Sequence, residues 1–438
     1  MRIAVVGLWH LGSVTSACLA QLGHEVTGLD DKADVIARLN LGQAPLFEPG
    51  LDALIAQGLA ARNLHFTTDA HAALQQAELV WITYDTPVDD DDHADIDSVI
   101  AAVGQKLPLL NDGTVVLVSS QLPAGSVGRL QDFARRALAG KTIHFAVSPE
   151  NLRLGKAIDV FLNPDRIIIG THDAQARIPI DRMLAPLKAR VEWMSIESAE
   201  VTKHAINAFL ALSVAFANEL ASLCELVGAD AKEVERGLTS EARVGPKAYL
   251  SPGGPFAGGT LARDLVYLEG MGQAYHLALP LISAVRPSND AHKLWVRRIL
   301  LQHSPSLADI PVAIWGLTYK PGTDTLRRSL AVELCDWLIG QGAEIHIHDP
   351  AVTQWPQHWQ DRVTVHADPL AAARAARYLV IGTEWKEFGE HLDALGRMAQ
   401  SGLILIDPNR HLQAVAEAFG QAYIAVGVPS SISNRGRA

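Results

Sequence analysis

Two groups of residues in this sequence have the types and spacing to do chemistry. Gly7-Leu8-Trp9-His10-Leu11-Gly12 lies between an apolar run and an amphipathic one. A helix beginning there would offer free backbone N–H groups and its positive dipole end to a pyrophosphate. Asp30 closes the next apolar run 18 residues after Gly12, where a carboxylate binds the adenosine ribose hydroxyls and repels an extra phosphate. Together these features read as a dinucleotide site that favours NAD over NADP. Trp9 stands where the second glycine of G-x-G-x-x-G lets the backbone approach the pyrophosphate, so a strand-to-helix turn that binds no dinucleotide is the competing reading. Farther along, Lys203 and Asn207 sit four residues apart in a helical pattern. Positions i and i+4 share one helix face and can converge on a single substrate atom. A solvated lysine and a satisfied core asparagine are the plainer alternatives.

The elements that must position these residues follow from periodicity. RIAVVG, an amphipathic stretch from Ser13 to Leu22, and HEVTGLD alternate strand with helix, and ELVWITY (78–84), TVVLVSS (114–120) and IHFAVS (143–148) continue the series. Short, nearly all-apolar runs separated by helices predict a parallel sheet covered on both faces. From Ser198 to Val227 the pattern is one long helix, with Ser198 as N-cap and Gly228 just past its end. No strand pattern follows until about residue 311, so this region reads as a helical connector, a kind of element that often carries a dimer interface. PVAIWGL, AEIHIHDP, RYLVIGTEW and LILIDPN then open a second α/β series.

Composition narrows the class. The 438 residues exceed one ordinary core. With 48% apolar and 19% charged residues the chain is globular. A net charge of -11 without a basic cluster argues against nucleic acid. Cys18, Cys224 and Cys335 have no metal or redox spacing, which suits a reducing, cytoplasmic compartment. The first residues carry no signal-peptide pattern. Asn207, Asn218 and Glu219 make the apolar stretch 205–223 too polar for a membrane span. His10, His204 and His348 lack metal-ligand spacing, and Asp89 to Asp92 reads as a solvated loop, so no metal is expected. The segment 428–438 is expected to be disordered.

Several stretches resemble the UDP-glucose/GDP-mannose dehydrogenase family, over about residues 1 to 425. NLGQAPLFEPGL (40–51) resembles the segment after the second strand, Asp85-Thr86-Pro87 a V-P-T-P cofactor loop, and SSQLPAGS (119–126) the S-T-V-P-x-G-T loop. SPENLRLGKAIDVFLNPDRIIIG (148–170) is similar to the N-P-E-F-L-x-E-G segment and the strand after it. AEVTKHAINAFLALSVAFANE (199–219) looks like the family's central helix, RVGP (243–246) like R-I-G-P, and GLTYKPGTDTLRRS (316–329) like G-L-x-F-K-x-x-T-D-D-x-R-x-S. The resemblance implies two Rossmann-like doubly wound parallel-sheet α/β domains joined by a long central helix and helical connector. The expected division is 1–196, 197–305 and 306–427. It implies NAD held by Gly7, Trp9, His10, Leu11, Gly12, Asp30, Thr86 and Gln121, and a UDP-sugar held by Glu150, Asn151, Leu152, Arg153, Lys203, Asn207, Arg243, Tyr249, Gly258 and Lys320. A homodimer through the central helix is also implied, with Arg243 reaching the sugar nucleotide across it.

The match departs from the family at one chemically decisive position. Aligning G-F-G-G-x-C-F-P-K-D on FAGGTLARD (256–264) places Thr260 at the cysteine and keeps Asp264. A thiolate attacks the aldehyde intermediate and permits a second hydride transfer, whereas a threonine hydroxyl is a far poorer nucleophile. Leu154 and Gln121 replace a glutamate and a threonine of the same half-reaction. Lys203, Asn207, Asp264, Glu150 and Thr260 remain as the catalytic candidates for removing one hydride from an alcohol. Three readings stay open: a four-electron dehydrogenase acting through a hydrated aldehyde, a two-electron dehydrogenase, and a nucleotide-sugar binder without turnover.

Overall fold

A computed structural model describes residues 1–87, 94–138, 140–149, 152–257 and 259–429. Glu150, Asn151, Gly258, the Asp89 to Asp92 run and the tail from residue 430 lie outside the described residues. The chain divides into two compact units, Met1–Ile206 and Asn207–Ala438.

The first unit is built on eight strands: β1 (Arg2–Val6), β2 (Glu25–Leu29), β3 (Leu64–Thr67), β4 (Leu79–Ile82), β5 (Val115–Val118), β6 (His144–Val147), β7 (Arg166–Gly170) and β8 (Arg190–Met194). Their order is β3-β2-β1-β4-β5-β6-β7-β8. The first six run parallel, in the doubly wound order that places a ligand crevice at the β1/β4 reversal. Alternate residues feed two cores. Ile3, Val5, Leu79, Trp81 and Leu117 pack on one face, and Ala4, Val6, Val80, Ile82 and Val118 on the other. Burying each larger side chain contributes roughly 1.5–3 kcal/mol. The sheet is not wholly parallel: β7 meets β6 antiparallel through the single pair Val147–Gly170, and β8 runs parallel to β7.

The second unit contains β9 (Pro311–Trp315), β10 (Glu344–His348), β11 (Val363–Val365), β12 (Tyr378–Ile381), β13 (Ile404–Ile406) and β14 (Tyr423–Ile424), all parallel. Their order, β11-β10-β9-β12-β13-β14, repeats that of β1 to β6. Four helices, Ala231–Ser240, Thr260–Ala274, Pro280–Lys293 and Trp295–His303, precede this sheet.

The central helix runs from Ile196 to Val227, starting two residues before the expected cap. Ser195 Oγ accepts the Ser198 N–H at 3.1 Å, so Ser195 takes the role expected of Ser198. Gly228 has φ +82° and closes the helix, its N–H reaching Cys224 O at 3.0 Å. The expectation that polar residues bar this segment from spanning a membrane was too strict, because by length and composition alone it qualifies. One face of it packs inside the protein, where Ala208, Ala211 and Ala215 meet Leu265 and Val285 and where Ala221 and Cys224 join the core of the second sheet, while Phe209, Phe216 and Leu223 stay exposed.

Candidate active site

The glycine turn is set by packing. Gly7 has φ +93°, and a Cβ there would lie 2.7 Å from Tyr84 Cδ1; a Cβ at Gly12 would lie 1.9 Å from Gly7 O. The cradle left by these two glycines fits a pyrophosphate at the N-terminus of the helix His10–Gln21. Trp9 occupies the N-cap position of that helix with φ -77°, an allowed value for an L-residue, and is 44% exposed. Glycine is therefore not required at position 9 by the backbone. Asp30 accepts the Leu8 N–H at 2.7 Å with one oxygen and the Lys32 N–H at 2.9 Å with the other, which places its carboxylate against the turn.

The two loops expected to line the cofactor meet, because Thr86 Oγ1 donates to Gln121 O at 2.7 Å. Gln121, Ser120, Pro149, Glu200 and half-buried Lys203 line one cavity at the carboxyl ends of β5 and β6. Glu200 anchors its wall by accepting Gly125 N–H at 2.7 Å and Val127 N–H at 3.0 Å. Burial pushes the Glu200 carboxyl above its ordinary value against those two bonds. His204, one position beyond Lys203, is buried and bonded to Leu122 O at 3.1 Å.

In the second unit Asn207 Nδ2 donates to Asp264 Oδ2, and both residues are buried. Thr260 is the exposed first residue of the helix that carries Asp264. The three thiols are buried in the cores. Burial pushes Cys18 up to about 12 and also raises Cys224 and Cys335, so each is held as an inert thiol.

Three family models match the chain in succession: the NAD binding domain of the UDP-glucose/GDP-mannose dehydrogenase family over residues 1–188, its central domain over 197–291 and its UDP binding domain over 313–414. The chain belongs to this family. Among its relatives, a UDP-glucose 6-dehydrogenase of Pseudomonas aeruginosa is 33% identical over 98% of this chain and 97% of its own length. One from Rhizobium meliloti is 32% identical over 98% and 100%. The solved structure of a UDP-glucose dehydrogenase from Pyrobaculum islandicum superposes with a TM-score of 0.82 at 27% identity, covering 98% of this chain and 97% of that one. As a UDP-glucose/GDP-mannose dehydrogenase the chain is an NAD-dependent nucleotide-sugar dehydrogenase, and a binder without turnover is not favoured.

The residues that the family resemblance assigns to the sugar nucleotide are divided between the two units. Leu152 is half-buried and Arg153 exposed, just before the helix Ala157–Leu162. Arg243 is exposed and paired with Glu241 at 3.0 Å. Tyr249 is 59% exposed, and Lys320 is exposed in the loop after β9. Leu11 is half-buried in the first turn of its helix. A second cavity, lined by Gly254, His292, Arg297, Glu333, Gly382 and Asn409, opens in the second unit and touches the carboxyl end of β12. Sequence reasoning passed over it, and over Glu200 and Glu48. Glu200 carried a signal, lying three residues before Lys203 and so on the same helix face. Glu48 carried none beyond membership of the FEPG stretch.

Proposed function

We propose that the chain oxidises an alcohol of a UDP-sugar by two-electron chemistry, without a covalent thiol intermediate. The observation that carries this reading is the state of the cysteines: all three are buried, with raised pKa values, while Thr260 stands at the position that the resemblance gives to the nucleophile. The UDP-binding family model and the names of the relatives support UDP as the nucleotide.

In this reading the carbinol C–H bond breaks and its electron pair leaves as hydride, while the O–H proton passes to a protein group. NAD, when bound, supplies the hydride acceptor. Lys203 and Asn207, one turn apart on the central helix, hold the reacting oxygen, and Asp264 takes the proton through a water. Asn207 fixes the Asp264 carboxylate with a charge-assisted hydrogen bond. The test is NADH formed per UDP-glucose consumed, with the mass of the product. One NADH and a carbonyl product is expected. Two NADH and a carboxylate would overturn the two-electron step, and no NADH from any UDP-sugar would overturn the dehydrogenase.

The reading includes a cytoplasmic homodimer paired through the central helix. Phe209, Phe216 and Leu223 recur at seven-residue spacing with exposures of 67%, 48% and 53%, and Leu226 extends the stripe at 66%. An apolar stripe of this period on a helix suits a second copy of the same helix.

A further inference from the structure

We propose that His10 and Glu48 form a positioning link between the cofactor turn and the sugar-nucleotide segment, so that the two ligands strengthen each other's binding. The link rests on the dehydrogenase reading above, together with the family resemblance, which gives NAD the Gly7–Gly12 turn and gives the UDP-sugar Leu152 and Arg153.

Glu48 is far in sequence from both ends of the link, and its side chain is 1% exposed. His10 Nε2 lies 2.9 Å from Glu48 Oε2, which accepts the bond when the imidazole proton is on Nε2. The same oxygen accepts the Gly155 N–H at 2.8 Å, and Oε1 accepts the Ala157 N–H at 2.9 Å. One carboxylate thus uses both oxygens to fasten two segments. His10 is the first residue of the helix whose N-terminus faces the pyrophosphate position. Gly155 adopts φ +87°, and the turn closes by Lys156 N–H to Arg153 O at 2.9 Å, so the anchored backbone begins where Arg153 ends.

A buried carboxylate cannot lose one of three donors without leaving charge uncompensated. A ligand that draws the His10 turn toward itself therefore draws on Glu48, and the anchor on residues 155–157 responds. Coupling of this kind is reciprocal: whatever factor the sugar nucleotide adds to cofactor affinity, the cofactor returns to the sugar nucleotide. Trp9 and Leu154, both exposed, are the chain neighbours of His10 and Gly155, and their side chains take no part in the link's hydrogen bonds. The link differs from simple structural support in one measurable way. Loss of support weakens each binding event by itself, whereas loss of the link removes the factor between them.

The experiment measures the NADH dissociation constant by calorimetry, with and without saturating UDP-glucose, a pair that cannot react. In the parent protein UDP-glucose is expected to tighten NADH about 5-fold or more. His10→Phe, which keeps the ring size and leaves the Glu48 bonds to Gly155 and Ala157, is expected to bring that ratio close to one. His10→Gln, which can still donate to Glu48, is expected to restore much of it, and His10→Ala serves if the phenylalanine variant does not fold. A parent-like ratio in a folded His10→Phe or His10→Ala variant overturns the link. So does a ratio of one in a parent protein that binds both ligands. A parent protein that binds neither ligand overturns the functional reading instead.

Discussion

Glu48 and Glu200 are both buried carboxylates that accept two backbone N–H bonds, yet the fold treats them in opposite ways. Burial raises each. At Glu200 it prevails, whereas at Glu48 the bonds from Gly155, His10 and Ala157 outweigh it and hold the carboxyl below its ordinary value. A carboxyl lowered in the folded state contributes stability that is present above its unfolded value and lost as pH falls through the folded one. A raised carboxyl costs stability at neutral pH, and that cost is relieved on acidification. Glu48→Gln is therefore expected to lower the urea midpoint at neutral pH and to flatten its decline between neutral and about pH 3. A parallel shift of the whole pH profile would contradict this. Asn207→Leu removes a hydrogen bond to a buried charged acceptor and is expected to cost about 1.5–3 kcal/mol, read from the same midpoint, together with a fall in kcat. Of these residues sequence singled out Asn207, by its spacing from Lys203 and by the family resemblance, and its burial against Asp264 also fits the plainer reading of a satisfied core asparagine. Glu48 and Glu200 were not singled out. A lone glutamate in sequence looks solvated, and only the fold reveals which backbone groups it faces.

At the scale of elements, the strands that sequence announced are those buried on both faces. β1, β4, β5, β9 and β12 are short apolar runs with almost every residue inside. β3, β8, β11 and β14 escaped because edge strands need fewer apolar residues: LHFT alternates buried with exposed, RVEWM carries two charged side chains and has no fully buried residue, and β14 has two residues. The reversal at β7 was equally hidden, since a single bridging pair leaves no periodic trace. The glycine turn behaves differently from its motif. Gly12→Ala is expected to abolish cofactor binding and destabilise the unit, because its Cβ would lie 1.9 Å from a carbonyl oxygen that cannot move aside. Trp9→Gly is expected to fold, with a loss of only about 0.5–1 kcal/mol from added backbone freedom, and to retain NAD binding. Thermal unfolding and NAD calorimetry on the two variants check both expectations.

For the molecule as a whole, the stripe on the central helix predicts assembly. Phe216→Glu places a charge in the middle of Phe209, Phe216 and Leu223 and is expected to shift the mass measured by sedimentation from dimer to monomer. A dimer that survives this change would place the interface elsewhere. The doubling of the sheet order within one chain has a finer counterpart in the turns. Gly316 N bonds to His348 O at 2.8 Å as Gly7 N bonds to Leu29 O at 2.9 Å, and Asp349 accepts the Leu317 N–H at 2.6 Å as Asp30 accepts that of Leu8. Asp349 is also filled by Thr318, Ala351 and Val352 N–H groups and by Trp385 Nε1 at 3.3 Å, leaving it no capacity for a ribose. The protein thus contains an internal control for its own cofactor site. Amide exchange at Leu8 should slow when NAD alone is added, and exchange at Leu317, made in the same way but closed, should report only what the solvent does.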